Sequence, residues 1–311
     1  MKKDLIDFAL QLGFDDVKMT NIQSIYEHYA KLEKWIEKGY NAKMNFFLHN
    51  QEKRKQPNLM LENAKSIIVF AKKYYPNIKY LNNIKIAKYA LNEDYHTIIK
   101  NLLKQYSTFL RENFKANTLI SVDSGAIMEK TWATVAGLGW LGKNGLVLNE
   151  NLGSFFNIGI LLTDLEIEPD IQIENKCKNC KKCIESCPTS AIVAPHIIDT
   201  NQCIAYHTIE NKEKIPDSIM LKIKQTGYIF GCDICQDVCP FNQKVISKEK
   251  EKCFNIFDII NTDDINNFTV ENFNQIFVSS AIKRTKYNRF IKLLNLFVKD
   301  NFQEKIYTVN N

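Results

Sequence analysis

Two runs of cysteine constrain this chain more than any other feature. Cys177, Cys180, Cys183 and Cys187 follow x2, x2 and x3 spacers and end on Pro188; Cys203 stands apart, and Cys232, Cys235 and Cys239 end on Pro240. Short x2 spacers let one tight loop offer three thiolates to one cube of iron and sulfide, while the last cysteine of the run leaves for the neighbouring cube. That crossing predicts one 4Fe-4S cluster on Cys177, Cys180, Cys183 and Cys239 and a second on Cys187, Cys203, Cys232 and Cys235. Paired structural zinc sites are the main competitor, since Cys-x2-Cys also makes zinc knuckles. Four cysteines in one run with proline after the last suit a cube better than a tetrahedron. Disulfides are disfavoured, because Met1-Lys2-Lys3-Asp4 does not open an export signal and a cytoplasmic chain stays reduced. Cys253 is left over and reads as a small buried hydrophobe. A chain so equipped moves electrons.

The 311 residues exceed what a ferredoxin needs, and the segment before Cys177 is long enough for a domain with its own core. Forty-one basic against thirty-five acidic side chains leave a net charge of +6, which favours or at least tolerates a polyanion. No run of eighteen apolar residues exists, so no membrane span is expected.

Residues 1–165 read as alternating helices and strands, an α+β or α/β-like fold with a mixed sheet flanked by helices. Leu5, Ile6, Phe8, Ala9 and Leu12 keep helical spacing up to Gly13. A second helix is expected from about Thr20, carrying Ile22, Ile25, Tyr26, Tyr29, Leu32 and Ile36 before Gly39. The apolar, β-branched run Ser66 to Ala71 suits a central strand buried on both faces. A long helix is expected from Asp94 to Phe114, a strand at Leu119–Val122, and a helix from Ala126 to Val135. Leu146–Leu148 and Phe156–Leu162 would complete the sheet. Residues 166–245 form a ferredoxin-like two-cluster region and 246–311 a basic helical tail, with a polar, proline-bearing linker at Glu166 to Asp170.

Between those strands lie Val122-Asp123-Ser124-Gly125 and then Gly137-Leu138-Gly139-Trp140-Leu141-Gly142-Lys143-Asn144-Gly145. Glycines let a backbone approach something closely, and an acid after a strand sits where open α/β sheets place ligands, so this stretch is a cofactor-pocket candidate. Gly137-x-Gly139-x-x-Gly142 matches the dinucleotide fingerprint in letters alone; a helix precedes it and a strand follows, the reverse of that fold. The competing reading is a glycine-rich turn without a ligand, with Asp123 an N-cap of the following helix.

These segments, with Glu129-Lys130, Gly153-Ser154-Phe155-Phe156, Gly231-Cys232-Asp233-Ile234-Cys235-Gln236-Asp237-Val238-Cys239-Pro240, Tyr206 to Glu210 and Ser280 to Arg284, resemble the epoxyqueuosine reductase family over roughly residues 50 to 295. The resemblance implies an enzyme that uses cobalamin and two 4Fe-4S clusters for the last step of queuosine synthesis. The epoxide of epoxyqueuosine at the wobble base of a tRNA with a GUN anticodon is reduced to the alkene, and water leaves. A small flavodoxin- or ferredoxin-type donor, a monomeric state and the cytoplasm go with it. The chemistry is consistent: losing an epoxide oxygen takes two electrons and two protons, whereas clusters pass electrons singly, so a cofactor must gather and present them.

By the same resemblance Asp123 is the proton donor, a role that asks for a protonated carboxyl at neutral pH, which burial could supply. Corrin contacts are implied for Arg54, Tyr89, Lys143 and Asn144, and for the backbone near Val147, Ile158 and Ala205. No Asp-x-His-x-x-Gly motif for histidine-ligated cobalamin occurs; Asp94-Tyr95-His96 comes closest, but Ile99 stands at the glycine position. His96 then reads as a packing or hydrogen-bonding residue on the long helix.

For nucleic acid, Lys283, Arg284, Lys286, Arg289 and Lys292 with Tyr287 and Phe290 interleaved could meet phosphates and a splayed base, with Lys130 another substrate contact near Asp123. The competing reading is an amphipathic helix with a solvated basic face. Two departures from the family stand out: the chain ends at Asn311 without the HEAT-like repeat many members carry, and Ala205-Tyr206-His207 replaces a common Ser-Tyr-Leu run. A corrinoid reductive dehalogenase and a non-catalytic electron carrier are the alternatives in function. The missing twin-arginine signal and the basic helix oppose the first.

Overall fold

The computed structural model describes residues 1–74, 84–123, 125–246 and 268–307, with the side chains of the last helix followed to residue 297. Ser124 and Cys253 lie outside the described residues.

Helix α1 (Lys2–Gln11), strand β1 (Asp16–Asn21), helices α2 (Tyr26–Glu37) and α3 (Gln51–Lys55) and strand β2 (Ser66–Lys73) open the chain. Strand β3 (Lys85–Ile86), helix α4 (Tyr95–Phe114), strand β4 (Thr118–Ser121), helix α5 (Glu129–Val135) and strands β5 (Trp140–Leu141), β6 (Val147–Leu148) and β7 (Phe156–Thr163) follow. The main sheet runs β1-β2-β7-β4, and all three pairings are antiparallel, so it is not mixed. Strand β6 pairs with β5 in a separate hairpin instead of joining this sheet. The helix expected from Thr20 begins at Tyr26, because Val17 and Met19 alternate onto the sheet and draw residues 16–21 into an edge strand.

Strand β2 is buried on both faces, which accounts for its unbroken apolar sequence. Ile68 and Phe70 pack with Leu5 and Ala9 of α1 and with Ile99, Leu103, Tyr106 and Leu110 of α4. Those four α4 residues recur every three or four positions, one helical face. Ile67, Val69 and Ala71 point the other way, against Trp132, Ala133 and Val135 of α5. Successive strand residues alternate faces, so one strand holds two helical layers together.

The cysteine-bearing part is built from helices α6 (Lys182–Glu185), α7 (Ile204–Ile209), α8 (Asp217–Thr226), α9 (Ile234–Asp237) and α10 (Pro240–Ile246) with strands β8 (Ile192–Ala194), β9 (Ile197–Ile198) and β10 (Tyr228–Phe230). Strand β10 pairs in parallel with β3. Helices α11 (Val270–Ile276) and α12 (Lys286–Tyr307) close over this pairing. Phe273, Phe277, Phe290 and Leu294 share a core with Ile86, Ile223 and Phe230. The basic tail is therefore bound down through about 1.5–3 kcal/mol per fully buried large apolar side chain. Among the described residues no helix is long and apolar enough to cross a membrane.

Candidate active site

The glycine-rich stretch folds for a reason internal to the chain. A Cβ on Gly137, whose φ is +75°, would meet the Ile171 carbonyl oxygen at 2.1 Å, and one on Gly139 would meet the Leu148 carbonyl oxygen at 2.0 Å. These glycines admit the protein's own backbone rather than a ligand. What they produce is the β5–β6 hairpin, and its tip delivers Asn144, Leu146 and Val147 to a half-open cavity of about 490 Å³. That volume lies within the usual range for small-molecule sites, about 300–1,000 Å³.

Asp123, just past β4, lines this cavity together with Cys187, Cys203, Cys232 and Cys235. Tyr89, Lys130, Asn144, Val147, Ile158 and Ala205 line it too, as do Tyr95 and Glu129. Arg54 and Lys143 do not line it. Arg54 is buried, with its guanidinium donating to the carbonyls of His49 and Phe46, each at 3.2 Å. Lys143 donates its ammonium to the Lys178 and Cys180 carbonyls at 2.6 and 2.9 Å, bracing the first cysteine loop. Both cations are used up by backbone oxygens, which the sequence could not reveal. Asn144 does double duty: its amide donates to the Cys235 carbonyl at 3.3 Å while it lines the cavity.

The cysteine charges that act on the shifted thiols come from within two sets, Cys177, Cys180, Cys183 and Cys239 in one and Cys187, Cys203, Cys232 and Cys235 in the other. Burial raises the Cys183 thiol first, and the charges of Cys177, Cys239 and Cys180 add to it. Burial likewise raises Cys235, followed by the charges of Cys232, Cys203 and, further down, Cys187. Thiols held this high stay protonated unless a metal takes the proton's place, the behaviour of cluster ligands before loading. The fit extends beyond the thiols. Trp140 packs with Cys239 and Cys177, and its buried indole N–H has no partner among the described residues, leaving a donor where a cube would bring sulfide acceptors. For a corrin, the apolar floor of Val147, Ile158 and Ala205 and the absence of histidine from the lining suit a flat ring without a histidine ligand.

Asp123 adopts φ +53°, a left-handed conformation that aspartate tolerates better than most residues. Its backbone N–H donates to the Glu129 carboxylate at 2.5 Å, and its carboxylate accepts from the Tyr95 hydroxyl at 2.8 Å. His96 Nε2 lies 3.4 Å from the same oxygen. Deep in the cleft, 52% of the Asp123 side chain still faces the open cavity. The His96 bond holds the carboxyl below the usual carboxylate range, burial opposes it, and the Tyr95 bond adds to the lowering. Asp123 is thus a carboxylate in this arrangement, against the expectation that burial would keep it protonated: two donors outweigh desolvation. Neither is it a helix cap, since α5 starts at Glu129 with Met128 at its N-cap. Glu129 is the acid that burial raises, to about 7, with the nearby Asp123 charge adding to it.

The sequence assigned no role beside Asp123 to Tyr95 or Glu129, and His96, read as a packing or hydrogen-bonding residue on the long helix, bonds as expected. Tyr95 and His96 lie 28 and 27 positions before Asp123, and only the packing of α4 beside β4 brings them together; the Asp94-x-His96 pair was the one local sign. Lys130 donates to the Gly145 carbonyl at 3.1 Å, and the charges of Asp123, Glu129, Cys235 and Cys203 all act on it. Of the C-terminal cations, Arg284 pairs with Glu210 and acts on Asp123 and Tyr95. Arg289 donates to the Asn211 and Glu213 carbonyls at 2.7 and 2.6 Å. Lys283 and Lys286 are exposed.

Comparison with known proteins agrees with this arrangement. A family model described as epoxyqueuosine reductase QueG matches residues 54–124, and one described as a 4Fe-4S double cluster binding domain matches residues 176–242. The structure of epoxyqueuosine reductase from Streptococcus thermophilus superposes with a TM-score of 0.84 at 26% identity, over 100% of this chain and 86% of that one. An epoxyqueuosine reductase crystallised with an epoxyqueuosine-modified tRNA-Tyr stem loop shares the fold, with a TM-score of 0.83 at 24% identity over 95% of this chain and 80% of that one. The epoxyqueuosine reductase of Cyclobacterium marinum is 41% identical over 94% of either chain, and on that similarity this chain belongs to the epoxyqueuosine reductase family.

Proposed function

We propose that this chain reduces epoxyqueuosine in tRNA to queuosine, with electrons entering through two 4Fe-4S clusters and meeting substrate at a cobalamin in the cavity. One observation carries the reading: a single cavity is lined by both Asp123 and the second cysteine set. Electron supply and an acid able to relay protons then share one reaction space. An electron carrier would have no use for the acid.

When bound, the cobalamin supplies a strongly reduced metal centre able to collect electrons delivered one at a time. Val147, Ile158 and Ala205 would hold it by apolar contact, with Asn144 at its edge. Cys177, Cys180, Cys183 and Cys239 would hold the outer cluster, around the exposed Cys180, and Cys187, Cys203, Cys232 and Cys235 the inner one beside the cavity. A small flavodoxin- or ferredoxin-type protein in the cytoplasm would feed the outer cluster. Asp123, ionised before substrate binds, would pass a proton taken up at its carboxyl to the epoxide oxygen, and its half-open position gives the substrate access. The exposed Lys283 and Lys286, with Arg284, whose charge acts on Asp123, would meet phosphates of the anticodon arm, in keeping with the stem loop bound by the solved relative.

The test is anaerobic incubation of the cluster-loaded protein with cobalamin, a strong reductant and epoxyqueuosine-containing tRNA, followed by nucleoside mass analysis. Conversion to queuosine is expected for the wild type and its loss for Asp123→Asn, with corrin and clusters still bound. Unchanged epoxyqueuosine with intact clusters would overturn the reading.

A further inference from the structure

Removing an epoxide oxygen as water consumes two protons, yet one carboxyl carries only one. Asp123 must be reloaded within each turnover, and the structure holds a group built for that. Asp94 caps α4, and its Oδ1 accepts the His96 backbone N–H at 3.0 Å. The same oxygen lies 2.8 Å from His96 Nδ1, which fixes the imidazole and leaves Nε2 directed at Asp123 Oδ2 at 3.4 Å. The ring stacks on Tyr95 with centroids 4.1 Å apart, so it cannot swing freely. Its side chain is 29% exposed, enough to exchange protons with solvent.

We propose that His96 supplies the proton of Asp123: the line Asp94–His96–Asp123 carries a proton from solvent to the acid between the two protonations of one turnover. This rests on the reductase reading above. In balanced form, Asp123 starts as the carboxylate; the His96 imidazolium passes its Nε2 proton to it and becomes neutral, and the carboxyl so formed gives that proton to the departing oxygen. A hydronium ion from solvent returns a proton to the ring. The second protonation of the oxygen repeats the transfer. The two electrons come from the reductant through the clusters, and no other reactant is needed. Asp94 stabilises the imidazolium, as a carboxylate behind a histidine does elsewhere.

Other charges bear on the same pair. Glu129, from α5, is the second acid near the ring; Lys130 and Arg284 lower the electrostatic cost of the Asp123 carboxylate; Tyr89 lies beside Tyr95. None of them has both a hydrogen-bonding ring atom on Asp123 and a carboxylate behind it. The His96–Asp123 bond is the largest influence raising the histidine, ahead of opposing burial and of the Asp94 bond. A 3.4 Å contact before substrate binds is of the loose kind that tightens in the reacting complex.

The experiment is single-turnover conversion of epoxyqueuosine tRNA by the reduced, corrin- and cluster-loaded protein across pH 5.5–9, for wild type, His96→Ala and His96→Gln. Cluster and corrin absorbance verify folding of each variant. Expected is a fall of at least about tenfold for both variants, within the range general acid–base groups contribute. His96→Ala should be restored by added imidazole, the rescue following the imidazolium fraction, whereas Asp123→Asn should not be. His96→Ala within twofold of wild type, or a slow variant that imidazole never restores, overturns the relay alone. A wild type that leaves the epoxide intact overturns the relay together with the reading beneath it.

Discussion

The Tyr95 hydroxyl donates to the Asp123 carboxylate at 2.8 Å, joining the first turn of a core helix to the residue after an edge strand. This bond adds to the His96 bond in favouring the charged form of an acid whose burial favours the neutral one. Removing a hydrogen bond to the charged form favours the neutral one. Tyr95→Phe should therefore raise the Asp123 pKa and move the corresponding limb of the rate–pH profile to higher pH with the corrin still bound. A limb that stays put would show that the hydroxyl does not govern the acid.

Glu129 gives a stability prediction of definite sign. Its pKa stands at about 7 in the fold, mainly through burial, against an ordinary 4.5. The folded chain therefore binds more protons than the unfolded one between those values, and stability falls as pH rises from about 4.5 to about 7, then levels. Glu129→Gln removes the buried charge. The variant should match wild type at pH 5 and exceed it at pH 8 by about 1–3 kcal/mol, read from denaturant midpoints. Equal differences at both pH values would refute the assignment.

The crossing of the two cysteine runs can be tested one thiol at a time. Cys239→Ser should remove the cluster shared with Cys177, Cys180 and Cys183 and leave the other, lowering the iron content from about eight to about four per chain. Cys187→Ser should cost the opposite cluster. Low-temperature electron paramagnetic resonance of the reduced variants separates the two losses, and a zinc protein would give no such signal.

Arg289 and Lys286 should behave differently although both sit at the start of one basic helix. Lys286→Ala should weaken tRNA binding and reduce its salt slope by about one, with the melting temperature unchanged. Arg289→Ala leaves two carbonyls without their donor and should cost about 1–3 kcal/mol of stability. Filter binding at several salt concentrations and thermal melts distinguish a phosphate contact from a structural brace.

Gly139→Ala should break the hairpin that feeds the cavity. The added methyl would lie 2.0 Å from the Leu148 carbonyl oxygen, and backbone cannot give way as a side chain can. A loss of about 1–3 kcal/mol or more is expected, with corrin affinity falling as Asn144 and Val147 shift. Unaltered stability in a thermal melt would contradict this packing.

The local sequence fixed what depends on neighbours along the chain. The cysteine spacings point to a double-cluster domain, in agreement with the family model over residues 176–242, because loop length limits which thiolates can share a cube. The double-faced apolar run of β2 and the one-sided face of α4 were legible for the same reason: periodicity and burial are properties of a single element. Edge strand β1 was not, since its six residues alternate too briefly to outweigh the helical pattern that follows. Tertiary structure alone decided the ionisation of Asp123, which depends on two donors from another helix, and the fate of Lys143, whose ammonium is met by carbonyls of the first cysteine loop, while Arg54 turns back onto the carbonyls of His49 and Phe46. A hydrogen bond acts over about 3 Å of space whatever the separation in sequence, so proton chemistry emerges only once the chain has folded.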